Sequence, residues 1–396
     1  MQQIGCDVLV VGAGPAGSMA ARVAAEYKLD VILLEEHKVP GTPVYCGEGI
    51  SVDGILESGL EPVEPIICQR VSTVRVFAPN MKNIDLKLND PPGYILNRDI
   101  FDKMLADKAV KAGAKLHVST RVLTVIKEDN RITGVIATRD GEKIEYRAKI
   151  FIGADGHSSK IRSTSGLTRH FPDHVSVAQH RLTGLSLDTP GIIEIYMGDR
   201  YAPGGYAYIF PKSENTANVG VGVRFKNIKP AVEYLKDFIQ HDPRLKNATI
   251  DYTTGGICPT SGRLDKITAN GLILIGDAAG QVVPMTGAGI HSGILAGKIA
   301  GRTAAEAIYE GDTSERRLKA YVREFDEKCG KYIQDSKKAL QMVDKFNDHD
   351  LNTLQEVITQ QDIINITNGI NLPATITKII ARSPIKLMKL LKTALI

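Results

Sequence analysis

Residues 7–11 hold a short apolar run, Val8 to Val11 after Asp7, the pattern of a parallel strand buried on both faces, and glycine-rich sequence and a helix through Ala25 follow it. Residues 31–35 repeat the run, so the chain opens as a strand–helix–strand unit. Between 72 and 96 short β-like pieces are separated by Pro79, Asn80, Pro91 and Pro92. Phe101, Leu105 and Ala109 recur at helical spacing and predict a helix over 98–112. The run 116–127, a turn at Asp129-Asn130 and the run 132–139 read as a hairpin. Alternating segments with Gly and Pro turns between 175 and 223 predict an antiparallel sheet. Residues 148–152 and 272–275 are further buried strands, 290–309 a helix, and the chain beyond 311 reads as helical and richer in Lys and Arg. The expected class is α/β: a doubly wound, Rossmann-like nucleotide domain interrupted by an antiparallel-sheet substrate domain, with a helical C-terminal piece. Its expected division is 1–71, 94–170 and 263–310 for the first, 72–93 and 171–262 for the second, and 311–396 for the last.

At 396 residues the chain exceeds one ordinary core. Hydrophobic residues at 43% and charged residues at 24% place it among globular proteins. Lys plus Arg number 49 against 45 Asp plus Glu, a net charge of +4, too small and too dispersed for a nucleic-acid footprint. The five cysteines at 6, 46, 68, 258 and 329 are scattered and contain no C-x-x-C pair, so a disulfide framework, a zinc ribbon and an iron–sulfur cluster are all unsupported. The apolar run near the N-terminus is too short for a signal peptide or a membrane span. A cytoplasmic protein without a metal site is expected.

Three segments carry chemistry. GAGPAG, residues 12–17, directly follows the first strand. Gly12 permits the tight turn, Gly14 lets the backbone approach a pyrophosphate, and Gly17 permits close helix–strand packing, with Ala16 in the first helical turn beside the phosphates. Glu35 ends the next strand, where a carboxylate accepts bonds from ribose hydroxyls. GADGHSSKIR (153–162) follows the apolar strand at 148–152, and LILIGDAAGQVVPMTGAGI (272–290) begins with the strand at 272–275.

GxGxxG with Glu35, Asp155-Gly156 and Gly276-Asp277 together resemble the p-hydroxybenzoate-hydroxylase type of flavoprotein. The resemblance implies non-covalent FAD, with Asp277 on the ribityl chain, Gly289 and Ile290 by the flavin ring, Arg98 reaching FAD from a helix start, and the Val122 backbone at adenine. A plain helix N-cap is the competing reading of Asp277. Two further stretches, PGTPVYCGEGI (40–50) and PGGYAYIFPKSENTANVGVG (203–222), resemble geranylgeranyl reductases, above all the archaeal digeranylgeranylglycerophospholipid reductases. Pro203, Tyr206, Phe210, Pro211, Gly220 and Gly222 fit that family's P-x-x-Y-x-W-x-F-P and G-x-G pattern. Tyr208 stands where Trp is expected, and the chain has no Trp. The resemblance implies Cys46, Gly47 and Gly49 beside FAD and Tyr206, Tyr208, Phe210 and Pro211 on a substrate cavity. An aromatic stripe packing the core is the bland alternative, as a small buried hydrophobe is for Cys46 and a structural histidine for His291.

The implied reaction saturates isoprenoid double bonds. No neighbouring carbonyl polarises such an alkene, so hydride and proton must arrive nearly together in a dry apolar site. The proton donor is open among Cys46, Tyr206, Tyr208 and a water. Electrons would come from a reduced ferredoxin or NAD(P)H, since no second strand–GxGxxG–helix unit is seen. Two other readings stand beside this one, an FAD-dependent aromatic hydroxylase and a flavin-carrying, membrane-associated electron carrier. Residues 374–396 hold Lys378, Arg382, Lys386, Lys389 and Lys392 among Ile379, Ile380, Ile385, Met388, Leu391 and Leu395. They read either as a peripheral membrane contact or as a helix packed on the core.

Overall fold

The computed structural model describes residues 1–87, 93–168, 170–187, 189–224, 229–367 and 370–384. Gln2–Val11 lies at the centre of a parallel sheet, between Val31–Leu34 and Glu142–Gly153. Lys115–His117 extends the sheet beyond Val31–Leu34, and Leu272–Leu274 extends it beyond Glu142–Gly153, both parallel. Val8, Leu9, Val10 and Val31–Leu34 are buried, which accounts for the unbroken apolar runs. Helices Pro15–Glu26 and Ile290–Tyr309 pack tightly together over this core. A Cβ on Gly297 would stand 2.2 Å from the Ala16 carbonyl oxygen, and one on Gly301 2.5 Å from that of Ala20, so the two backbones touch through glycine.

The hairpin differs from expectation. The run 116–127 divides at Ser119, whose φ is +51. Lys115–His117 joins the parallel sheet, and only Thr120–Glu128 pairs with Arg131–Arg139. The reversal itself is as read, with Asp129 and Asn130 both at positive φ.

A seven-stranded sheet runs in the order Thr249–Pro259, His174–Thr183, Thr216–Val223, Tyr206–Pro211, Ile192–Met197, Thr73–Phe77, Asn83–Lys87. All its pairs are antiparallel except Ile192–Met197 with Thr73–Phe77. Strand alternation divides its residues between two faces. Ala207, Ile209, Val219 and Val221 pack on Tyr234, Leu235 and Phe238 of helix Ala231–His241. The other face carries Tyr206, Tyr208, Phe210, Ile193, Ile195, Val74, Val76, Ile84 and Leu86, and it faces a cavity.

Helices Lys331–Val343, Asp348–Gln355 and Gln360–Thr367 supply residues to the other side of that cavity. Arg224, buried at the end of its strand, bridges to Asp344 at 2.7 and 2.6 Å and to Asp173, tying these helices to the sheet. The segment read as membrane-facing is partly engaged within the protein. In helix Leu372–Arg382, Ile379 packs with Ala339, Phe346 and Ile366, and Arg382 pairs with Asp362. Ile385, Lys386, Met388, Lys389, Leu391, Lys392 and Leu395 lie outside the described residues, as do Pro91 and Pro92. Among the described residues no helix is long and apolar enough to cross a membrane.

Candidate active site

One continuous cavity of 1570 Å³ joins the glycine turn of the parallel sheet to the apolar face of the seven-stranded sheet. Gly12, Gly14, Ala16, Glu35, Cys46, Gly47, Gly49, Arg98, Val122, Asp155, Asp277, Gly289 and Ile290 all line it. Gly17 does not. A Cβ there would sit 1.8 Å from the Gly12 oxygen, so Gly17 serves the packing of the turn.

The three glycines of the turn answer to different neighbours. Gly12 has φ +101, and a Cβ on it would meet the Ala154 oxygen at 2.4 Å. A Cβ on Gly14 would meet no protein atom within 4 Å, and its φ of −71 suits any residue. Nothing in the protein calls for glycine at 14, so the space above it fits a ligand lying on the backbone. Helix Pro15–Glu26 begins there and helix Ile290–Tyr309 begins at Gly289, so two positive helix ends meet one cavity.

Asp277 follows the strand Leu272–Leu274. Among the described residues no hydrogen bond to its carboxylate is formed within the protein, and no side-chain cap is made at this short helix, which removes the N-cap reading. Burial raises its carboxyl above the ordinary carboxylate range, opposed by the charges of His157 and Arg98. An acceptor in this position fits a hydroxyl-bearing chain such as the ribityl of FAD. Replacing it with Ala should lower FAD affinity by about 1.5–3 kcal/mol, the worth of one charge-assisted bond, read as FAD lost on gel filtration. Full retention would remove Asp277 from the cofactor site.

Other expected contacts are already partnered. Glu35 accepts from the Ala13 N–H at 2.9 Å and the His37 N–H at 2.9 Å, tying the glycine turn to the second strand. Asp155 accepts from Ser159 Oγ at 2.5 Å and the Ile161 N–H at 3.0 Å, so its carboxylate organises the start of helix Lys160–Ser165. The Arg98 guanidinium forks onto Asp102 at 2.8 and 2.5 Å; burial opposes its charge, and Asp102 overcomes this and holds it cationic.

On the sheet side, Tyr206, Tyr208 and Phe210 form a row with ring centroids 6.1 and 5.0 Å apart. Phe210 presses on the loop at 45–49, where a Cβ on Gly47 would come within 2.9 Å of its ring. The Tyr206 hydroxyl donates to the Thr286 carbonyl at 2.6 Å, and that of Tyr208 to Gln179 Oε1 at 2.7 Å. Burial pushes both phenols well above their ordinary range, with nearby cysteine thiols adding to it. Pro211 is a correction: it closes the strand, and alternation turns it away from Phe210 into a separate small pocket with Arg75, Glu194 and Arg244. His291 is not on the cavity; its Cβ lies against Gly54.

Sequence reasoning missed four groups here. Cys258 lines the cavity beside Gly287 and the Tyr206 hydroxyl, its thiol pushed up by burial. Gln281, fully buried, accepts from the Gly276 N–H at 2.7 Å and donates to Tyr321, fixing the loop that carries Asp277. Gln179 and Glu48 hold the loop at 45–49. Glu48 had a signal, an acid set between two glycines where the chain lies against a ligand; the two glutamines had none.

A parallel sheet whose glycine turn and a second helix start share one cavity defines a dinucleotide-binding protein, and its similarity to known flavoproteins makes it a flavin-dependent oxidoreductase. Residues 7–159 match the family described as FAD dependent oxidoreductase, and residues 173–257 the family described as geranylgeranyl reductase catalytic domain. A digeranylgeranylglycerophospholipid reductase of Methanocaldococcus jannaschii is 38% identical over 98% of each chain. One of Methanopyrus kandleri is 36% identical over 96% of each. A solved structure of a geranylgeranyl bacteriochlorophyll reductase-like protein from Thermoplasma acidophilum superposes with TM-score 0.88 at 32% identity, covering 99% of this chain and all of that one. A flavin-dependent brominase shares the fold alone, at TM-score 0.73 and 19% identity over 92% of this chain and 94% of the other. The chain belongs to the digeranylgeranylglycerophospholipid reductase family, and its cofactor is FAD.

Proposed function

We propose that this protein reduces the isoprenoid double bonds of geranylgeranyl chains carried on archaeal glycerophospholipids. One observation carries the reading: the cavity is continuous from the glycine cradle to an apolar floor. That floor crosses four neighbouring strands, from Tyr208 through Ile195 and Val76 to Ile84. Three strand steps at about 4.8 Å make it about 14 Å wide, a bed for a long flexible hydrocarbon. A hydroxylase of a small phenol has no use for such a floor, and an electron carrier has none for any substrate cavity.

In this reading residues 1–71, 94–170 and 263–310 hold FAD, residues 72–93 and 171–262 hold substrate, and the C-terminal piece from 311 closes the cavity through its helices between 331 and 367. Reduced FAD supplies hydride. The chain's own residues orient the alkene and deliver a proton. Phe210, Tyr208 and Tyr206, with successive ring planes turned by 61° and 62°, make an aromatic wall where the floor meets the cradle, and the apolar floor keeps water off the alkene. Tyr206 and Tyr208 carry their protons at neutral pH as ordinary phenols do, and burial raises both further. We place the proton source in the group Cys46, Tyr206 and Tyr208, or in a water held by them. An external reductant, a reduced ferredoxin or NAD(P)H, completes the cycle. We further propose that the basic segment ending at 396 brings the enzyme to the lipid surface from the cytoplasmic side. Sedimentation with anionic liposomes, comparing the intact chain with one ending at Asn371, tests that placement.

Incubating the chemically reduced protein with a digeranylgeranyl phospholipid should raise the lipid's mass in steps of two hydrogens. No mass gain with any prenyl lipid overturns the reading. Tyr206→Ala and Phe210→Ala should each slow that reduction about tenfold or more, by loss of a positioned wall, with FAD content and visible spectrum unchanged. Loss of fold in both would return these rings to core packing.

A further inference from the structure

We propose that Glu48 is a positioning residue that fixes the Cys46 thiol and the loop at 45–49 in the cavity; the proposal deepens the reductase reading and rests on it. Glu48 is completely shielded from solvent and has φ +74, a backbone region that a residue with a side chain keeps only where its surroundings over-determine it. Its Oε1 accepts the Arg98 N–H at 2.9 Å at the start of helix Arg98–Ala112. Its Oε2 accepts from Arg181 at 2.7 Å, Lys212 at 2.5 Å and Asn218 at 2.7 Å. Its carbonyl takes the Leu96 N–H at 2.9 Å, and its own N–H points to Cys46 Sγ at 3.1 Å.

The donors come from three adjacent strands of the seven-stranded sheet or their ends. Arg181 stands opposite Asn218, and Gln179 opposite Gly220, which in turn faces Tyr208. From that surface Asn218 also donates to the Gly47 carbonyl at 3.3 Å and Gln179 to the Cys46 carbonyl at 3.1 Å. The Gln179 amide thus links the Tyr208 hydroxyl to the backbone of Cys46. The loop hangs from the substrate sheet by these bonds, with Glu48 as the anchor that also ties it to the Arg98 helix. Because that anchor is a buried carboxylate facing two cations, removing its charge leaves Arg181 and Lys212 with only neutral partners, Asn218 and the Leu96 carbonyl, and loosens the loop.

A purely structural ion cluster would affect stability without changing how Cys46 is presented. The test therefore uses the FAD-loaded protein and reads the alkylation rate of Cys46 by iodoacetamide through peptide mass mapping, with Cys258 as internal reference. In Glu48→Gln the Cys46 rate should rise about tenfold relative to Cys258, the population shift expected when a charge-assisted bond is lost. With lipid, kcat should fall by a similar factor while KM holds. Asn218→Ala, which changes no charge, should move both readouts the same way by a smaller factor. An unchanged Cys46 rate in both folded variants overturns the proposal. So does a Glu48→Gln that fails to fold beside an Asn218→Ala that matches the parent in both readouts. A shifted Cys46 rate in a protein that reduces no prenyl lipid supports the positioning role and removes the reductase reading instead.

Discussion

Gly14→Val is expected to leave a folded protein that purifies almost without FAD, whereas Gly17→Ala is expected to lose stability as well as cofactor. Both glycines belong to one motif, but their surroundings differ. At Gly14 the backbone is extended, and an added Cβ meets nothing within 4 Å. Valine is an inferior N-cap to glycine, a cost of about 1 kcal/mol, and no clash adds to it. Its side chain fills the space over the helix start, where a pyrophosphate lying on this turn would take N–H bonds. Losing two charge-assisted bonds at about 1.5–3 kcal/mol each weakens FAD binding by roughly a hundredfold or more. At Gly17 an added Cβ lies 1.8 Å from the Gly12 oxygen and 3.0 Å from the Ala154 Cβ, so the helix must move off the sheet. Overpacking of that kind costs about 1–3 kcal/mol or more. Thermal unfolding of the apoprotein separates the two cases, and absorbance at the flavin band gives the FAD content. A Gly14→Val protein that retains full FAD would mean that the cofactor does not lie on this turn.

The motif itself was legible in the sequence because it is local. Gly12, Gly14, Gly17 and the acid at 35 sit within one strand–helix–strand unit, where the positive φ of Gly12, the contact of Gly17 with the Gly12 oxygen and the bond from the Ala13 N–H to Glu35 are all short-range. Helices Arg98–Ala112 and Ile290–Tyr309 were legible for a similar reason, since their periodic apolar positions span whole turns. The division at Ser119 was not. The alternating pattern continues through it, and only the pairing of Lys115–His117 with Val31–Leu34 shows that two sheets share the run. The parallel pairing of Thr73–Phe77 with Ile192–Met197 joins residues more than a hundred apart in sequence, and no local signal records it. The bonds of Glu48 to Arg181 and Lys212 are equally long-range. Pro211 was misplaced because its neighbour Phe210 lines the cavity, and adjacent strand residues face opposite ways. Burial of polar side chains such as Gln179 and Gln281 is a property of the assembled fold, and composition and spacing carry no trace of it.

The second large effect is expected at Ile195, in the middle of the apolar floor. Ile195 pairs with Tyr208 on one side and Val76 on the other, and all three line the cavity. Its side chain borders open space, so Ile195→Asp should fold and load FAD like the parent. The contrast is Ile209 on the adjacent strand, which faces the core under helix Ala231–His241 and should not tolerate a carboxylate. In the free protein the new carboxylate at 195 is solvated. When a prenyl chain fills the cavity, that carboxylate must either lose its water or keep water where the alkene should be dry. Desolvating an unpaired charge costs several kcal/mol, so kcat/KM for a long-chain lipid should fall by roughly a hundredfold or more. The loss should shrink with acidity. A desolvated carboxyl has a raised pKa, its neutral form is far cheaper to bury, and that form grows as pH falls toward the raised value. The ratio of variant to parent activity should therefore climb as pH is lowered, while Ile195→Leu stays near the parent at every pH. A variant that turns over the long-chain lipid at the parental rate at neutral pH would show that the chain lies elsewhere than on this floor.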